Sequence, residues 1–490
     1  MKHWAWMVLL AAAASGCVSS QDAQSSAVRM LNAVPDSSLM TLVINGQTRA
    51  SGYDYGVGTA YAVLGTGRAG LRIDEALPTG ASAASRTLYA SDQDLAVNAE
   101  LTLVVLGQEA SNAVEVVPII TTTRGVPIGK TRLQFVHAGF GLQPMDVYVV
   151  APGTLPTAST PFAAALAYKA FTGQAEVTAG SAEIIVTAAG NPATVLFDSG
   201  AVYLPPEGTW LAAIIANPGA DSVQHPIALS VLPGTGSSLI LDKGASAQAR
   251  FVNVSPGSYA IDGFINSPLV NATARQTCDP LTTEPGTVVE ECAQPFGFVG
   301  PFHDVAPGTY QGKTQKAADA GVSAGSTALT MTASGAGTLV VTGLLADDAT
   351  TMTTGLQVLS GTRRMAAAQL RLVNVSQGAV ATVTGDPATD RLELYITAGC
   401  TPLAGRSPDF YNLAFGSDTG YRAYQPGDYQ VTLARSDTAT PGVAPVVLLS
   451  KRMTLAAGGI YTEFITDSVG AILPAAFLSA DDNPGLQDCP

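Results

Sequence analysis

One segment recurs four times along the chain, and this repeat constrains the fold more than any other feature of the sequence. The copies read RMLNAVPDSSLMTLVI (29–44), QFVHAGFGLQPMDVYV (134–149), RFVNVSPGSYAIDGFI (250–265) and RLVNVS (371–376), the last resuming at LELYI (392–396). They begin 105, 116 and 121 residues apart. Self-similarity with a period of this length predicts tandem domains, each built around one copy.

Each copy contains short apolar runs between turn-forming residues. The chain has 50 Gly and 30 Pro but only 13% charged residues, a composition that favours strands joined by tight turns. The fold class predicted is all-β, with four tandem immunoglobulin-like antiparallel β-sandwich domains. The predicted domains span 27–128, 129–244, 245–366 and 367–490.

The N-terminus predicts export and a lipid anchor. An apolar run of 11 residues (4–14) is too short to cross a bilayer as a helix of about 20 residues. It ends at ASGC, which resembles the lipobox of a bacterial lipoprotein and implies a signal peptide (1–16), lipidation of Cys17 and a tether (17–26). An ordinary secretory signal is the alternative. Because Val18 follows the cysteine where Asp would retain a lipoprotein in the inner membrane, the resemblance implies the outer membrane, on its periplasmic or surface-exposed face.

Four further cysteines predict disulfides, since an even number in an exported chain is typical of cross-links. They are Cys278, Cys292, Cys400 and Cys489. The pairing Cys278–Cys292 with Cys400–Cys489 is favoured over the other two. A zinc site is the alternative, but the sequence has no C-x-x-C spacing.

The repeat resembles the bacterial family known as domain of unknown function 4397. Copy two carries the resemblance best, through FVHA (135–138) and MDVYV (145–149); copies three and four match well, and copy one matches loosely. The family implies β-sandwich modules in exported and lipid-anchored bacterial proteins, and no general activity is established for it. The resemblance therefore bears on fold and compartment.

The most reactive residue types in the repeat are His137 and Asp146, nine residues apart. A proton-transfer pair in copy two is one interpretation, because histidine titrates near neutral pH. The equivalents of His137 are Asn32, Asn253 and Asn374, and those of Asp146 are Thr41, Asp262 and Glu393. Asparagine cannot transfer protons at that pH, but it can bind a backbone at a strand end. We therefore predict a structural role, in which these side chains pin a hairpin between the two strands.

Motifs for other chemistry are weak. Ser323 lies in a G-x-S-x-G match, but no histidine follows it as the hydrolase order requires, so we expect a turn there. The stretch GVPIGKT (125–131) is one residue short of a phosphate loop and contains a proline. No catalytic residue, metal site or cofactor is predicted, apart from the lipid on Cys17; structural calcium at a domain junction is the alternative for the acidic turns. The net charge of −14, without a basic stripe, argues against a nucleic-acid partner.

Two aromatic clusters could form a platform for sugars. They are Tyr53, Tyr55 and Tyr61 in copy one, and Phe410, Tyr411, Phe415, Tyr421 and Tyr424 in copy four. The predicted function is a non-enzymatic cell-envelope lipoprotein, held to the membrane by its lipid, whose modules serve adhesion, scaffolding or binding of an unknown protein or glycan. A glycan-binding module of a polysaccharide system is the alternative, and a hydrolase with a site split across domains is the third hypothesis.

Overall fold

The structure is a computed structural model, and it describes only part of the chain. The described residues are 25–77, 83–122, 124–218, 224–255, 260–267, 278, 286–317, 319–342, 355–362, 368–376, 390–437, 445–456, 459–467 and 474–479. The predicted lipidation site Cys17 and the predicted disulfide partner Cys489 lie outside them.

The first half of the chain forms two groups of strands, which we call unit 1 and unit 2. Unit 1 contains β1 (Ser25–Ala33), β2 (Met40–Ile44), β3 (Gln47–Tyr53), β4 (Ala62–Gly65), β5 (Gly67–Ala76), β6 (Ser85–Leu95), β7 (Ala99–Leu106) and β8 (Glu115–Thr122). Unit 2 contains β9 (Lys130–His137), β10 (Met145–Val150), a 3-10 turn (Pro156–Ala158), β11 (Ala163–Leu166), β12 (Ala175–Thr178), β13 (Gly180–Ala188), β14 (Asn191–Leu204), β15 (Thr209–Ala216), β16 (Ile227–Leu232) and β17 (Ser238–Ile240).

The second half forms units 3 and 4 in the same way. Unit 3 contains β18 (Ala247–Asn253), β19 (Ile261–Asn266), β20 (Thr287–Gln294), β21 (Phe298–Val299), β22 (His303–Val305), β23 (Gly308–Lys316), β24 (Asp319–Met331), β25 (Gly335–Thr342) and β26 (Gly355–Thr362). Unit 4 contains β27 (Ala368–Asn374), β28 (Asp390–Ala398), β29 (Phe410–Tyr411), β30 (Arg422–Tyr424), β31 (Gly427–Asp437), β32 (Val446–Leu455), β33 (Ile460–Asp467) and β34 (Pro474–Ser479).

Each unit consists of two sheets, and the two strands of the sequence repeat lie at their centres. The first sheets have the orders β4-β1-β7-β8, β12-β9-β15-β16-β17, β21-β18-β25-β26 (with β22 also on β18) and β30-β27-β33-β34. The second sheets have the orders β3-β2-β5-β6, β11-β10-β13-β14, β20-β19-β23-β24 and β29-β28-β31-β32. The predicted all-β sandwich class is confirmed.

One parallel pair in each first sheet adds to the predicted antiparallel pattern. The pairs are β1 with β7, β9 with β15, β18 with β25 and β27 with β33. Strands that pair in parallel need a long crossover. Here the crossover is the intervening chain, which builds the second sheet before it returns.

The first strand of each unit is buried on both faces, so the side chains on both faces are mostly apolar. In β1, Val28 and Met30 face the core of unit 1, whereas Leu31 and Ala33 join a cluster shared with unit 2. The burial of both faces explains why these strands read as nearly continuous apolar runs rather than as alternating ones.

Ser323 lies inside β24, in register with Gln315, so the turn expected at the G-x-S-x-G match is wrong. The Gly-rich stretch is accommodated as an extended strand. Within the described ranges, no helix is long and apolar enough to span a bilayer.

Candidate functional site

The repeat residues at the ends of the first strands are completely buried. They are Asn32, His137, Asn253 and Asn374. In the three asparagine copies, Oδ1 accepts the backbone N–H two residues ahead, from Val34 (3.0 Å), Ser255 (3.2 Å) and Ser376 (3.1 Å). Nδ2 donates to the carbonyl of a distant segment, at Tyr53 (3.3 Å), Gln294 (3.1 Å) and Leu413 (2.8 Å). Each asparagine thus satisfies two backbone groups at once.

His137 occupies the same place in unit 2 with one bond fewer. Its Nε2 lies 3.1 Å from the carbonyl oxygen of Gln143 and must donate, because a carbonyl only accepts. Its Nδ1 has no hydrogen-bond partner among the described residues. Burial lowers the pKa of His137, which keeps the ring neutral at physiological pH. A neutral ring held to a backbone carbonyl is placed to fill the strand end rather than to exchange protons with a substrate.

The carboxylates of the second strands bind other backbone segments. Asp146 accepts N–H bonds from Ala165 (2.7 Å) and Gly190 (2.8 Å). Asp262 accepts a bond from the N–H of Ala293 (2.9 Å). Ala165 and Ala293 both have positive φ, 48° and 54°, which is unusual for a residue with a side chain. The carboxylates therefore hold two strained positions in the edge strands β11 and β20.

The equivalents of Asp146 in units 4 and 1 are not aspartates and make different contacts. Glu393 accepts the hydroxyl of Tyr395 at 2.7 Å, and Thr41 is half-buried on β2. The predicted hairpin is wrong in every unit, because the first and second strands lie in different sheets. His137 and Asp146 form no hydrogen bond with each other, since each is bound to backbone elsewhere.

Buried arginines are the feature that sequence reasoning missed. Arg29, Arg250 and Arg371 are at most 3% exposed. Each guanidinium lies 4.3 Å from the centre of an aromatic ring, that of Tyr61, Phe302 and Tyr421 respectively. Each also pairs in register with a threonine on the parallel strand, Thr102, Thr338 and Thr462. Their signal was present in the aligned copies, as R-x-x-N in RMLN, RFVN and RLVN.

In unit 2, other residue types occupy the positions of the buried arginine and its threonine partner. Gln134 stands where the others have arginine, and Leu211 is its register partner on β15. The Gln134 side chain donates to the carbonyl of Thr172 at 2.8 Å instead of stacking on a ring. The unit that carries histidine for asparagine is therefore also the unit that lacks an arginine at this repeat position.

Units 1 and 2 join through their first sheets. A shared cluster contains Leu31, Ala33, Tyr55, Val104, Leu106 and Ile119 from unit 1 and Val136, Ala138, Leu211, Ala213, Ile215, Ala228 and Leu232 from unit 2. Direct bonds cross the same surface, from Arg29 Nη1 to the Leu232 carbonyl (3.0 Å) and from Ser230 Oγ to the Gly56 carbonyl (2.8 Å). At Gly58 the units approach so closely that a Cβ would lie 2.6 Å from Leu232 Cδ2. We call this contact the 1–2 junction.

Units 3 and 4 join through the same sheet faces. The shared cluster there contains Val252, Val254 and Val340 from unit 3 and Val373, Val375 and Phe464 from unit 4. Arg250 and Arg371 lie on the faces of β18 and β27 that bear Val252 and Val373. We call this contact the 3–4 junction.

The predicted sugar platform in unit 1 does not form. Tyr55 is buried in the 1–2 junction, where its hydroxyl donates to the Ala216 carbonyl at 2.9 Å. Tyr61 stacks on Arg29, and Tyr53 packs on the core of unit 1. A neighbouring unit therefore occupies the surface that a sugar would need.

The aromatic cluster predicted in unit 4 is divided between buried and exposed positions. Tyr421 stacks on Arg371 and contacts Thr462 at 3.2 Å, so it belongs to the buried arginine set. Tyr411 and Phe415 are exposed, at 53% and 37%. Phe410 and Tyr424 pack partly on the core of unit 4 and leave part of their surface to solvent. The enlarged turn of copy four (377–391) lies mostly outside the described residues.

A polar cleft of about 330 Å³ lies between units 1 and 2. Arg29, Arg132, Glu100 and Glu207 line it. Arg132 is already bound, to Glu176 at 2.8 Å and to the carbonyls of two linker residues. Arg124 also lines the cleft, so three arginines and two glutamates give it groups of both signs.

An acidic cluster lies in unit 1 near unit 4. Arg86 bridges Glu75 (2.8 Å) and Glu109 (2.6 Å). Burial and the adjoining Glu75 raise the pKa of Glu109 from 4.5 to about 8. Glu75 also accepts a bond from Gln425 of unit 4 at 3.0 Å, so the cluster contributes to a contact between the first and last units.

Cysteines form cross-links rather than a metal site in the described residues. Cys278 and Cys292 form a disulfide, as predicted, and Cys400 is disulfide-bonded. The one group of potential metal ligands within the described ranges is Cys278, Glu290 and Cys292, and two of its three members are consumed by that disulfide.

Comparisons with known proteins support the family. The family model described as Domain of unknown function (DUF4397) matches residues 26–148 and 378–487, which cover unit 1, the first two strands of unit 2, and most of unit 4. No curated protein matches the chain. Among solved structures, the Bacillus anthracis TIE protein is 9% identical, with 88% of this chain and 68% of that chain covered and a TM-score of 0.15.

The Escherichia coli alpha-2-macroglobulin activated by porcine elastase is 11% identical, with 88% and 42% covered and a TM-score of 0.12. TM-scores this low carry no argument about fold or function. The DUF4397 match and the all-β fold fit a non-enzymatic extracellular module. The two matched regions are consistent with a repeat-containing DUF4397 protein.

Proposed function

We propose that the chain is a non-enzymatic lipoprotein of the cell envelope, in which paired β-sandwich units form a rigid support that presents loops to a partner. One observation carries the proposal. The repeated positions that could have held catalytic groups are buried and bound to backbone, with His137 neutral in the same place as three asparagines. Residues used in this way stabilise the fold and leave binding to the loops.

The packing of the units in pairs is the second observation in favour of the proposal. Domains joined by polar linkers alone move independently. Units 1 and 2 instead share a buried apolar cluster, and so do units 3 and 4. A support of paired units suits scaffolding or adhesion, because loops on different units then keep fixed separations.

The lipid anchor is tested by fractionation in a Gram-negative host. We expect the wild-type chain in the outer membrane and in the detergent phase, and Cys17→Ser in the soluble periplasmic fraction. Val18→Ser serves as the matched control and should fractionate as wild type. If Cys17→Ser still reached the detergent phase, the lipoprotein part of the proposal would be wrong.

Glycan binding is the second candidate function, and two half-exposed rings of unit 4 favour it. Phe410 and Tyr424 leave part of their surface to solvent, and both line one cleft. Partly exposed aromatic rings that line a cleft are typical of sites that stack on sugars.

A further inference from the structure

A cleft between units 1 and 4 has the dimensions of a small-molecule site. Its volume is about 340 Å³, within the range of about 300–1,000 Å³ typical of such sites. Unit 1 contributes Ser38, Leu39, Ala76 and Leu77, from the connection before β2 and the end of β5. Unit 4 contributes Asp409, Phe410, Arg422, Tyr424, Gln425 and Tyr429.

The unit 4 wall consists of aromatic rings held by their neighbours. Tyr424 and Tyr429 meet edge to face, with ring centres 5.6 Å apart. The hydroxyl of the buried Tyr429 donates to the Gln425 carbonyl at 2.7 Å. Arg422 lies 5.8 Å from the ring centre of Phe410. Rings fixed in this way bind without a large loss of side-chain entropy.

The rim of the cleft is polar. Asp409 and Arg422 are both exposed at the mouth. Asp409 accepts the N–H of Ile396 at 2.6 Å, which fixes its carboxylate, and Arg422 contributes donors. Gln425 lies between the units, where its side chain donates to Glu75. Planar polar groups around an aromatic wall match the alternation of hydroxyl edges and C–H faces on a sugar ring.

We propose that this cleft binds a neutral saccharide, with its C–H face against Phe410 and Tyr424 and its hydroxyls toward Asp409 and Arg422. The inference rests on the second candidate function and names its site and ligand class. Neutral sugars are favoured over acidic ones because the chain carries a net charge of −14, which repels polyanions.

Binding is measured by titration calorimetry on the full chain with hexasaccharides of β1,4-glucose, α1,4-glucose, β1,4-xylose and β1,4-N-acetylglucosamine, and with hexagalacturonate as the acidic probe. We expect saturable binding of at least one neutral hexasaccharide. Phe410→Ala should weaken it at least about tenfold, because the main stacking surface is lost. Tyr411→Ala is the matched control, since Tyr411 is the adjacent ring but does not line the cleft, and it should change binding less than about twofold.

Leu77→Trp is the independent variant, because it fills the cleft from unit 1 and leaves the strands of unit 4 unchanged. It should also abolish binding while the thermal transition stays cooperative. Three results would each overturn the inference. They are the absence of saturable binding of any neutral probe, binding of hexagalacturonate alone, and a loss of binding in Tyr411→Ala but not in Phe410→Ala. None of these results affects the fractionation of Cys17→Ser, so failure of the site and failure of the lipoprotein proposal are distinguishable.

Discussion

The 1–2 and 3–4 junctions use the same sheet faces but fill them differently. Among the described residues, the 1–2 cluster contains 13 buried apolar residues and the 3–4 cluster contains six. The 3–4 junction keeps an arginine from both units, Arg250 and Arg371, whereas the 1–2 junction keeps only Arg29 and has Gln134 in the second place. Unit 2 lacks the set of arginine, threonine and aromatic ring, and the junction that it forms has the larger apolar cluster of the two.

The difference shows that one repeat can serve two kinds of interface. A buried cation is costly to desolvate and must be offset by bonds and by ring stacking. Removing it from one partner lets more apolar side chains meet, which is the cheaper way to fill a junction.

The largest expected effect is that of a charge placed in the 1–2 cluster. Ala213→Asp puts an unpaired carboxylate where no solvent reaches, and should cost about 3–5 kcal/mol of unfolding free energy. In calorimetry, the transition of units 1 and 2 should move to lower temperature while that of units 3 and 4 stays. Ala201→Asp, on an exposed position of unit 2, is the control. An equal shift of both transitions would contradict separate junctions.

The second prediction compares one substitution in both junctions. Arg29→Met removes the donors to Thr102 (2.9 Å) and to the Leu232 carbonyl, and should cost about 1–3 kcal/mol. Arg371→Met should be neutral or stabilising, because Nε and Nη1 of Arg371 have no hydrogen-bond partner within the described ranges and methionine fills a similar volume. Chemical denaturation measures both. Equal losses would mean that the two arginines act alike, and a larger loss in Arg371→Met would contradict the prediction.

The third prediction concerns the strand end behind each junction. His137→Asn restores the residue of the other copies and should change the unfolding free energy by less than about 1 kcal/mol. Asn374→Ala leaves the Leu413 carbonyl and the Ser376 N–H without their side-chain partner, and should cost about 1–3 kcal/mol. A large loss in His137→Asn would indicate that the histidine has a role that asparagine cannot fill.

The last prediction lies outside both junctions, at Glu109, and is measured as a dependence on pH. Its pKa is raised in the folded chain, to about 8, so the folded state binds more protons than the unfolded state above about pH 4.5. The stabilisation from this group is complete below pH 4.5 and is lost as the pH rises to about 8. Melting temperatures at pH 5 and pH 8 should therefore differ more for the wild type than for Glu109→Gln. Identical pH dependence in the two proteins would show that Glu109 titrates normally.

The sequence predicts the fold class and the first strands of the units better than it predicts the contacts between strands and between units. The repeat RMLN, QFVH, RFVN and RLVN placed the first strands, and its asparagines indicated backbone bonding. The hairpin was wrong because a short turn can lead either to the neighbouring strand or across to the facing sheet, and apolar pattern alone does not distinguish these.

The roles of Arg29, Tyr55 and Tyr61 could not be predicted for a different reason. Arginine is seldom buried and a tyrosine on a strand is often exposed, so neither residue type indicates burial by itself. Their environment is set by unit 2, which covers them. A contact between units depends on how whole sandwiches dock, and no local pattern encodes that.

The most direct test of the rigid paired support is a distance measurement across the 1–2 junction. Spin labels carried on non-natural amino acids at Val63 in unit 1 and Tyr203 in unit 2 suit electron–electron double resonance, because these side chains are 72% and 66% exposed. We predict a single narrow distance distribution in the wild type, unchanged by Val340→Asp in the 3–4 junction and broadened by Ala213→Asp. A broad distribution in the wild-type chain would show that units 1 and 2 move independently and would contradict the account.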